Sequence, residues 1–387
     1  MAKLNTTFGE LNLLPFPAEA PLKEVLEWKT DVLESYSGKE QRVRVREIPR
    51  QEFAQTIPAS LARTQRVFNT VYDGLGSRWA VPVWSEAQLV GTLTAGAIVL
   101  PADTTQADFR EDGLALVWES PEKWQLVTVA SQTATEIEPL LPVAQDYARA
   151  WVIPVRVCRL ISQVEKSFTG ASSVMDIKFE VEDNTLLTAP TPAQFLGSDI
   201  YYDEGLMSGD SLTDNLMKRM EVLDEDTGVV AFKSTWSAPK IARPHQVLLE
   251  DRAAVWAFRR WLHRRAGRLN AFWQPSFESD LVLQSSGTVM SSIIVRSDEY
   301  LTHGLGRKHL ALQTSSGAWY PRTVTDAFAL DSERTQINLD SAVNVAADSV
   351  LRVSYLGLKR LDTDRVELSW IGGGVCRTSV RLKEIEP

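Results

Sequence analysis

Residues 79–85 read WAVPVWS and residues 271–277 read AFWQPSF. Each sets a proline among aromatic residues, with Pro82 opposite Pro275 and Trp84 opposite Phe277. A signature spelled twice calls for a repeat test first, because an internal repeat decides the fold. Upstream of the two stretches lie SLARTQRVFNTVYDGLGSRW (60–79) and LLEDRAAVWAFRRWLHRRAGRL (248–269). Both carry apolar residues at helical spacing: Leu61, Val67, Phe68, Val71, Tyr72 and Leu75 on one stripe, and Val255, Phe258, Trp261 and Leu262 on the other. Gly76 and Gly267 then stand where helix C-caps are expected.

Working outward, TDVLESYSGKEQRVRVREIPR (30–50) lies along MEVLDEDTGVVAFKSTWSAPK (220–240), with Val32, Leu33 and Gly38 opposite Val222, Leu223 and Gly228. Downstream, GLALVWESPEKWQLVTV (113–129) matches KHLALQTSSGAWYPRTV (308–324) as two alternating runs around a turn, with Trp124 and Trp319 similarly placed. TEIEPLLPVAQDYARAWVIPVRVCRL (135–160) and TQINLDSAVNVAADSVLRVSYLGLKRL (335–361) then both read strand, loop, strand. Five matches in one order favour a duplication over the plain alternative, that alternating runs resemble one another because alternation carries little information. The expected fold is mainly β, with two similar sandwich or small-barrel modules of one helix each. The expected division is an N-terminal arm over 1–23, a first repeat over 24–165, a linking strand and loop over 166–214, and a second repeat over 215–387. Within the link, MDIKFEVE alternates as a strand and LTAPTPAQ, punctuated by proline, is an exposed loop.

The 387 residues, 44% of them hydrophobic, let each half bury a core of its own. No apolar run reaches about 18 residues, so no membrane segment is expected. MAKLNTTFGELNLLPFP lacks the pattern of a signal peptide. The only cysteines, Cys158 and Cys376, fall on strand-like runs late in each half and read as reduced, buried thiols rather than as one disulfide between the repeats. A net charge of −9 argues against gripping nucleic acid, which needs a basic surface. The exception is RRWLHRRAGR (259–268), which has two readings: a solvated outer helix face with cations near its C-terminus, the favoured one, or a site for an acidic partner surface.

Chemistry is sparse. His245, His263, His303 and His309 show no metal-ligand spacing, and His303 and His309 flank GLGRK, a glycine turn between strands. DEDTG from Asp224 fits a hairpin better than a calcium loop, since its glycine comes one position early and Thr235 stands where a glutamate is needed. GGG at 372–374 follows a strand, outside the context of a phosphate loop, and neither a nucleophile elbow nor a dinucleotide fingerprint occurs. No catalytic, cofactor-binding or metal-binding residue is therefore assigned, and no enzyme activity or cofactor is expected. Tryptophan stands out instead: of twelve, Trp79, Trp84, Trp118, Trp124, Trp151, Trp273, Trp319 and Trp370 sit on alternating runs. They read as core and interface filling before they read as a sugar-binding face.

The stretch TDVLESYSGKEQRVRVREIPRQEF, a helix and then RWAVPVWSEAQ resembles the opening of a family of tail-tip proteins of long-tailed, siphovirus-type bacteriophages. TGVVAFKSTW with AAVWAFRRWLHRRAGRLNAFWQPSFESDLVL resembles the corresponding part of related tail proteins. The resemblance spans about 24–160 and about 215–330, and its motifs are structural. It implies a distal tail or upper baseplate protein of the virion, assembled in the host cytoplasm, whose modules resemble tail-tube subunits. The implied partners are the tail tube protein, the baseplate hub and other tail-tip proteins. Self-association follows too, with a trimer giving pseudo-sixfold symmetry favoured over a hexamer. Genomic DNA would pass an acidic lumen without specific binding. The other reading is a carbohydrate-binding tail module contacting the host surface.

Overall fold

The computed structural model describes residues 4–161, 163–169, 172–205, 213–236, 239–296, 300–372 and 374–386. It is mainly β, as the alternation predicts. The first run of elements is β1 (Leu4–Thr6), β2 (Gly9–Leu13), β3 (Glu19–Glu27), β4 (Thr30–Glu34), β5 (Glu40–Arg44), β6 (Arg50–Ser60), α1 (Leu61–Gly74), β7 (Arg78–Pro82), β8 (Gln88–Leu93), β9 (Leu100–Pro101), β10 (Leu114–Ser120), β11 (Lys123–Gln132), β12 (Glu136–Pro139), β13 (Tyr147–Leu160), β14 (Glu165–Thr169) and β15 (Ser172–Val181). The second is β16 (Gln194–Phe195), β17 (Ser198–Ile200), β18 (Asn215–Met217), β19 (Met220–Asp224), β20 (Val230–Ser234), β21 (Lys240–Leu249), α2 (Arg252–Arg265), β22 (Phe272–Pro275), β23 (Thr288–Val289), β24 (Ser292–Arg296), β25 (His309–Thr314), β26 (Trp319–Ala329), β27 (Arg334–Leu339), β28 (Val345–Ala346), β29 (Val350–Leu361), β30 (Arg365–Gly372) and β31 (Val375–Glu384). Period-two burial makes the strands: in β15, Met175, Ile177, Phe179 and Val181 are buried while Asp176 and Lys178 face water.

One pattern of pairing occurs in both runs. β1 pairs with β2, which runs parallel to β7; β7 pairs with β13, β13 with β10 and β15, and β15 with β6. Likewise β16 pairs with β17, which runs parallel to β22; β22 pairs with β29, β29 with β25 and β31, and β31 with β21. Both parallel contacts use the aromatic-proline strands, at Asn12 opposite Trp79 and at Asp199 opposite Phe272. Small hairpins β4–β5 and β19–β20 precede the long strands, turning at Gly38 and Gly228 with φ of +95° and +83°. Asp226, inside the DEDTG turn, has φ of +56°, the left-handed conformation that aspartate tolerates better than most residues.

The stretch read as an arm carries β1, β2 and the start of β3. The stretch read as a link gives β14 and β15 to the first sheet, and β16 and β17 to the second. The LTAPTPAQ segment (187–194) is irregular until Gln194. The glycine turn after His303 is reached through a single π-helical turn, Tyr300–Gly304.

Each helix lies on the same pair of strands, α1 on β6 and β15, α2 on β21 and β31. Asp251 caps α2, its carboxylate accepting from the Ala254 N–H at 2.7 Å, and Ala266 ends it in the left-handed conformation before Gly267, at φ of +65°. The α2 stripe is apolar inward, with Val255, Phe258 and Leu262 buried. The α1 stripe divides, because only Val67 and Val71 are buried in the core, whereas Phe68, Tyr72 and Leu75 are exposed. The side chain of Leu61 lies outside the described residues. The end of α1 is fixed by contact: a Cβ on Gly74 would lie 2.2 Å from the fully buried Trp79 ring, whose Nε1 donates to the Gly74 carbonyl. Gly74→Ala should therefore destabilise the chain by about 1–3 kcal/mol in denaturant unfolding, although alanine is the better helix former. An unchanged midpoint would mean that the ring moves freely.

The two runs meet strand to strand. Pairings place β14, β15, β6, β3, β30, β31, β21 and β18 side by side in that order, all antiparallel. At the centre β3 pairs with β30 from Leu22 opposite Trp370 to Glu27 opposite Arg365. β3 then enters the second core, where Leu26 and Trp28 pack with Val255, Leu262, Val366 and Leu368. A leucine or tryptophan so buried contributes roughly 1.5–3 kcal/mol or more.

Candidate functional site

A dense group of ionisable side chains lies beside this joint. Arg259 of α2, only 3% exposed, donates from Nη1 to Glu86 Oε1 at 2.8 Å and from Nη2 to Glu24 Oε1 at 2.7 Å. Glu24 stands on β3 and also accepts from Gln51 Nε2 at 2.7 Å and Trp370 Nε1 at 3.3 Å. Glu86 ends the short 3-10 turn Trp84–Glu86 and accepts from the Asp108 N–H at 2.6 Å. Asp108 continues the chain of charges, accepting from Arg156 Nε at 2.8 Å and Arg110 Nη2 at 2.7 Å. Glu24, Glu86 and Asp108 thus share Arg259, Arg156 and Arg110, largely away from water. Such an arrangement is tolerable because each charge is hydrogen-bonded by its neighbours.

More of α2 faces the first run. Arg252 Nη2 donates to the Ala87 carbonyl at 2.6 Å, and Arg260 Nη2 to the Thr105 carbonyl at 3.1 Å. The favoured sequence reading of RRWLHRRAGR, a solvated outer face, is overturned: Arg259, His263 and Arg265 are buried. Arg259 meets acidic residues of the same chain, and Arg264 and Arg265 clasp Asp199. The cavity among Asp108, Arg259 and His263 measures about 10 Å³, room for a single water at most. The cluster therefore links the two runs across the joint.

Several groups titrate abnormally here. Burial, then the Arg259 charge, pushes His263 down to about 3, and its Nδ1 accepts from the Leu187 N–H at 3.2 Å, as a neutral ring can. Burial opposes ionisation of Glu40 and Asp199, but a hydrogen bond and charge from Arg360 for Glu40, and hydrogen bonds from Arg264 and Gln194 with the charge of Arg265 for Asp199, overcome it and hold each at about 2. These groups lie below their ordinary values of 6.5, 4.5 and 3.8, so the stability they lend is complete above those values and is lost as pH falls through them. Burial acts oppositely on Glu86, pushed up to about 7, whose contribution is lost as pH rises from 4.5 to 7. The opposing slopes overlap between 4.5 and 6.5. Buried His245, lowered to about 4, adds a second slope of the same sign as His263, so melting temperature should fall gently from about pH 6.5 to 5 and steeply below about pH 4.5. A level profile down to pH 2.5 would contradict these assignments.

The histidines singled out in the sequence are dispersed. His245 is buried, with Nε2 3.3 Å from the Tyr201 hydroxyl, and burial lowers it to about 4. His303 lies in the π-helical turn, and His309 Nδ1 is 3.3 Å from the Thr323 hydroxyl. Cys158 and Cys376 are buried free thiols. Among the described residues no cluster of three histidine, cysteine or acidic side chains is placed to hold a metal, and no helix is long and apolar enough to cross a membrane.

One tryptophan grouping reaches solvent through half-buried Trp84, Trp118 and Trp151, beside the buried Trp370. A cleft of about 630 Å³ opens where the two runs meet, lined by Trp84, Trp118, Trp151 and Trp370 with Arg149 and Glu119. Trp84 and Trp118 pack edge to face at 5.5 Å, Trp118 Nε1 donates to the Pro15 carbonyl, and Trp84 Nε1 is buried without a protein acceptor. Trp79 and Trp273 are core residues instead. The period of the sequence marks all of these tryptophans alike, since it gives no sign of which sheet face a later strand will cover. No protein-family model matches the chain, and no curated protein is similar to it.

Proposed function

We propose that this chain is a structural virion protein of the tail tip of a long-tailed bacteriophage, of the distal tail or upper baseplate group. Its copies form a ring that joins the tail tube to the hub and fibres. The observation that carries the reading is the pairing scheme used twice and joined edge to edge, which lets three chains present six similar units to a sixfold tube. The motif resemblance supports the location, and the buried ionic joint supports a rigid two-unit building block. This role needs no turnover and no cofactor. Cryo-electron microscopy of intact virions tests it: three copies around the tail axis at the tip are expected. Six copies would leave a ring without pseudo-symmetry, and absence from the virion would sink the proposal.

The tryptophan-lined cleft favours a second reading, a carbohydrate-binding tail module, because several indoles with flanking charges suit sugar rings. Titration with host surface polysaccharide would then quench tryptophan fluorescence, and Trp151→Ala would abolish the change. No quenching at millimolar saccharide would discard that reading.

A further inference from the structure

The sheet ends at β14 on one side and at β18 on the other, and among the described residues β14 pairs only with β15 and β18 only with β21. These two edges correspond to the pair that is already joined. Glu27 of β3 stands opposite Arg50, and Met217 of β18 stands opposite Lys240, the position aligned with Arg50. β18 therefore holds in the second run the place of β3 in the first, with Leu216 at the position of Leu26 and Asp214 at that of Glu24. On the other side, Lys166 pairs with Met175 as Leu368 pairs with Thr378, and Met175 and Thr378 lie opposite Ile57 and Val247. β14 is accordingly the counterpart of β30, with Val164, just before it, at the position of Val366.

We propose that β18 of one copy pairs with the β14 edge of a second copy, repeating between chains the β3–β30 joint made within each chain. The register follows from the internal joint. Leu26 opposite Val366 becomes Leu216 opposite Val164, and Glu24 opposite Leu368 becomes Asp214 opposite Lys166, an oppositely charged pair. The receiving surface is open: a groove of about 680 Å³ lies between α1 and this edge, lined by Phe68, Tyr72, Leu75, Ile161, Val164 and Lys166. The corresponding space between α2 and β30 is filled by Leu26, which is 2% exposed, while Leu216 is 75% exposed. Phe68 and Tyr72 occupy the α1 positions matching Arg259 and His263 on α2. The joint between copies is thus apolar where the joint within the chain is ionic. Because the two edges differ, the contact is heterologous, and its repetition closes a ring or runs on as a filament.

This inference rests on the ring-forming reading, and its test separates the two. Val164→Cys and Leu216→Cys variants of the full chain, one carrying a mass tag, are purified separately, mixed and mildly oxidised. Directly opposed antiparallel residues lie at about 4.5–5.5 Å between Cα atoms, within disulfide reach. A disulfide joining the tagged and untagged chains is expected only in the mixture. Leu216→Asp should weaken self-association about tenfold or more in sedimentation. A closed assembly by mass, with both thiols reactive and no mixed disulfide, overturns this contact and leaves the tail-tip reading standing. A mixed disulfide from a chain absent from virions keeps the contact and removes the tail-tip role. No mixed disulfide and no self-association at any concentration overturns the contact.

Discussion

Arg259→Ala is expected to lower the unfolding free energy by about 3–5 kcal/mol, the range for removing one partner of a buried ion pair. The cost arises because Glu24 and Glu86, each with a side chain 1% exposed, would keep their burial and lose the guanidinium that both share. Arg259→Lys should recover only part of the loss, since a single ammonium does not reproduce the planar fork that reaches two carboxylates at once. Arg260→Ala, one residue along and making a single bond to a backbone carbonyl, should cost about 1 kcal/mol or less. Equilibrium denaturation of the three variants compares them directly. Equal midpoints for the Arg259 and Arg260 alanine variants would mean that the buried cluster contributes nothing.

Trp28→Ala should cost a similar amount, about 3–5 kcal/mol, and should act on the half of the molecule to which Trp28 does not belong in sequence. Trp28 follows β3 yet lies in the second core, 1% exposed, with its ring edge-on to His263 at 5.6 Å. Hydrogen exchange should accelerate first in α2 and β30 and leave the buried centre of β13 protected. Uniform acceleration across both cores would instead mark the chain as a single cooperative unit. Protection unchanged everywhere would contradict the packing.

The strand of the link, the hairpin at DEDTG and both helices were legible because their determinants are local: alternation in β15, an Asp- and Gly-rich turn, and apolar residues at helical spacing ended by glycine. The surroundings of α2 were not legible. Arg259 and His263 look like a solvated face because helical periodicity records that a face is charged, and is silent about carboxylates 173 and 235 residues away in sequence. The α1 stripe misleads in the opposite direction. Phe68 and Tyr72 satisfy the apolar period, yet both are exposed, with Lys166 of β14 over the Phe68 ring. The α2 departure falls at the joint between the two runs, where the partner of a side chain is set by tertiary position. The tryptophans divide in the same way, Trp79 and Trp273 into cores and Trp84, Trp118 and Trp151 around the cleft.

The central strand pair also sets a timetable for synthesis. Glu24 and Trp370, hydrogen-bonded across the joint, are 346 residues apart in sequence. As the chain leaves the ribosome, β6 can take up one side of β3 early, but the other side waits for β30, more than 300 residues later, to emerge. During that interval an unpaired strand edge and the side chains of Leu26 and Trp28 are open to solvent, the combination that recruits chaperones or leads to misassembly. Contacts of such long separation also slow the final folding step. Yield in a heterologous host should therefore depend on the rate of synthesis and on temperature more strongly than the stability of the finished protein would suggest.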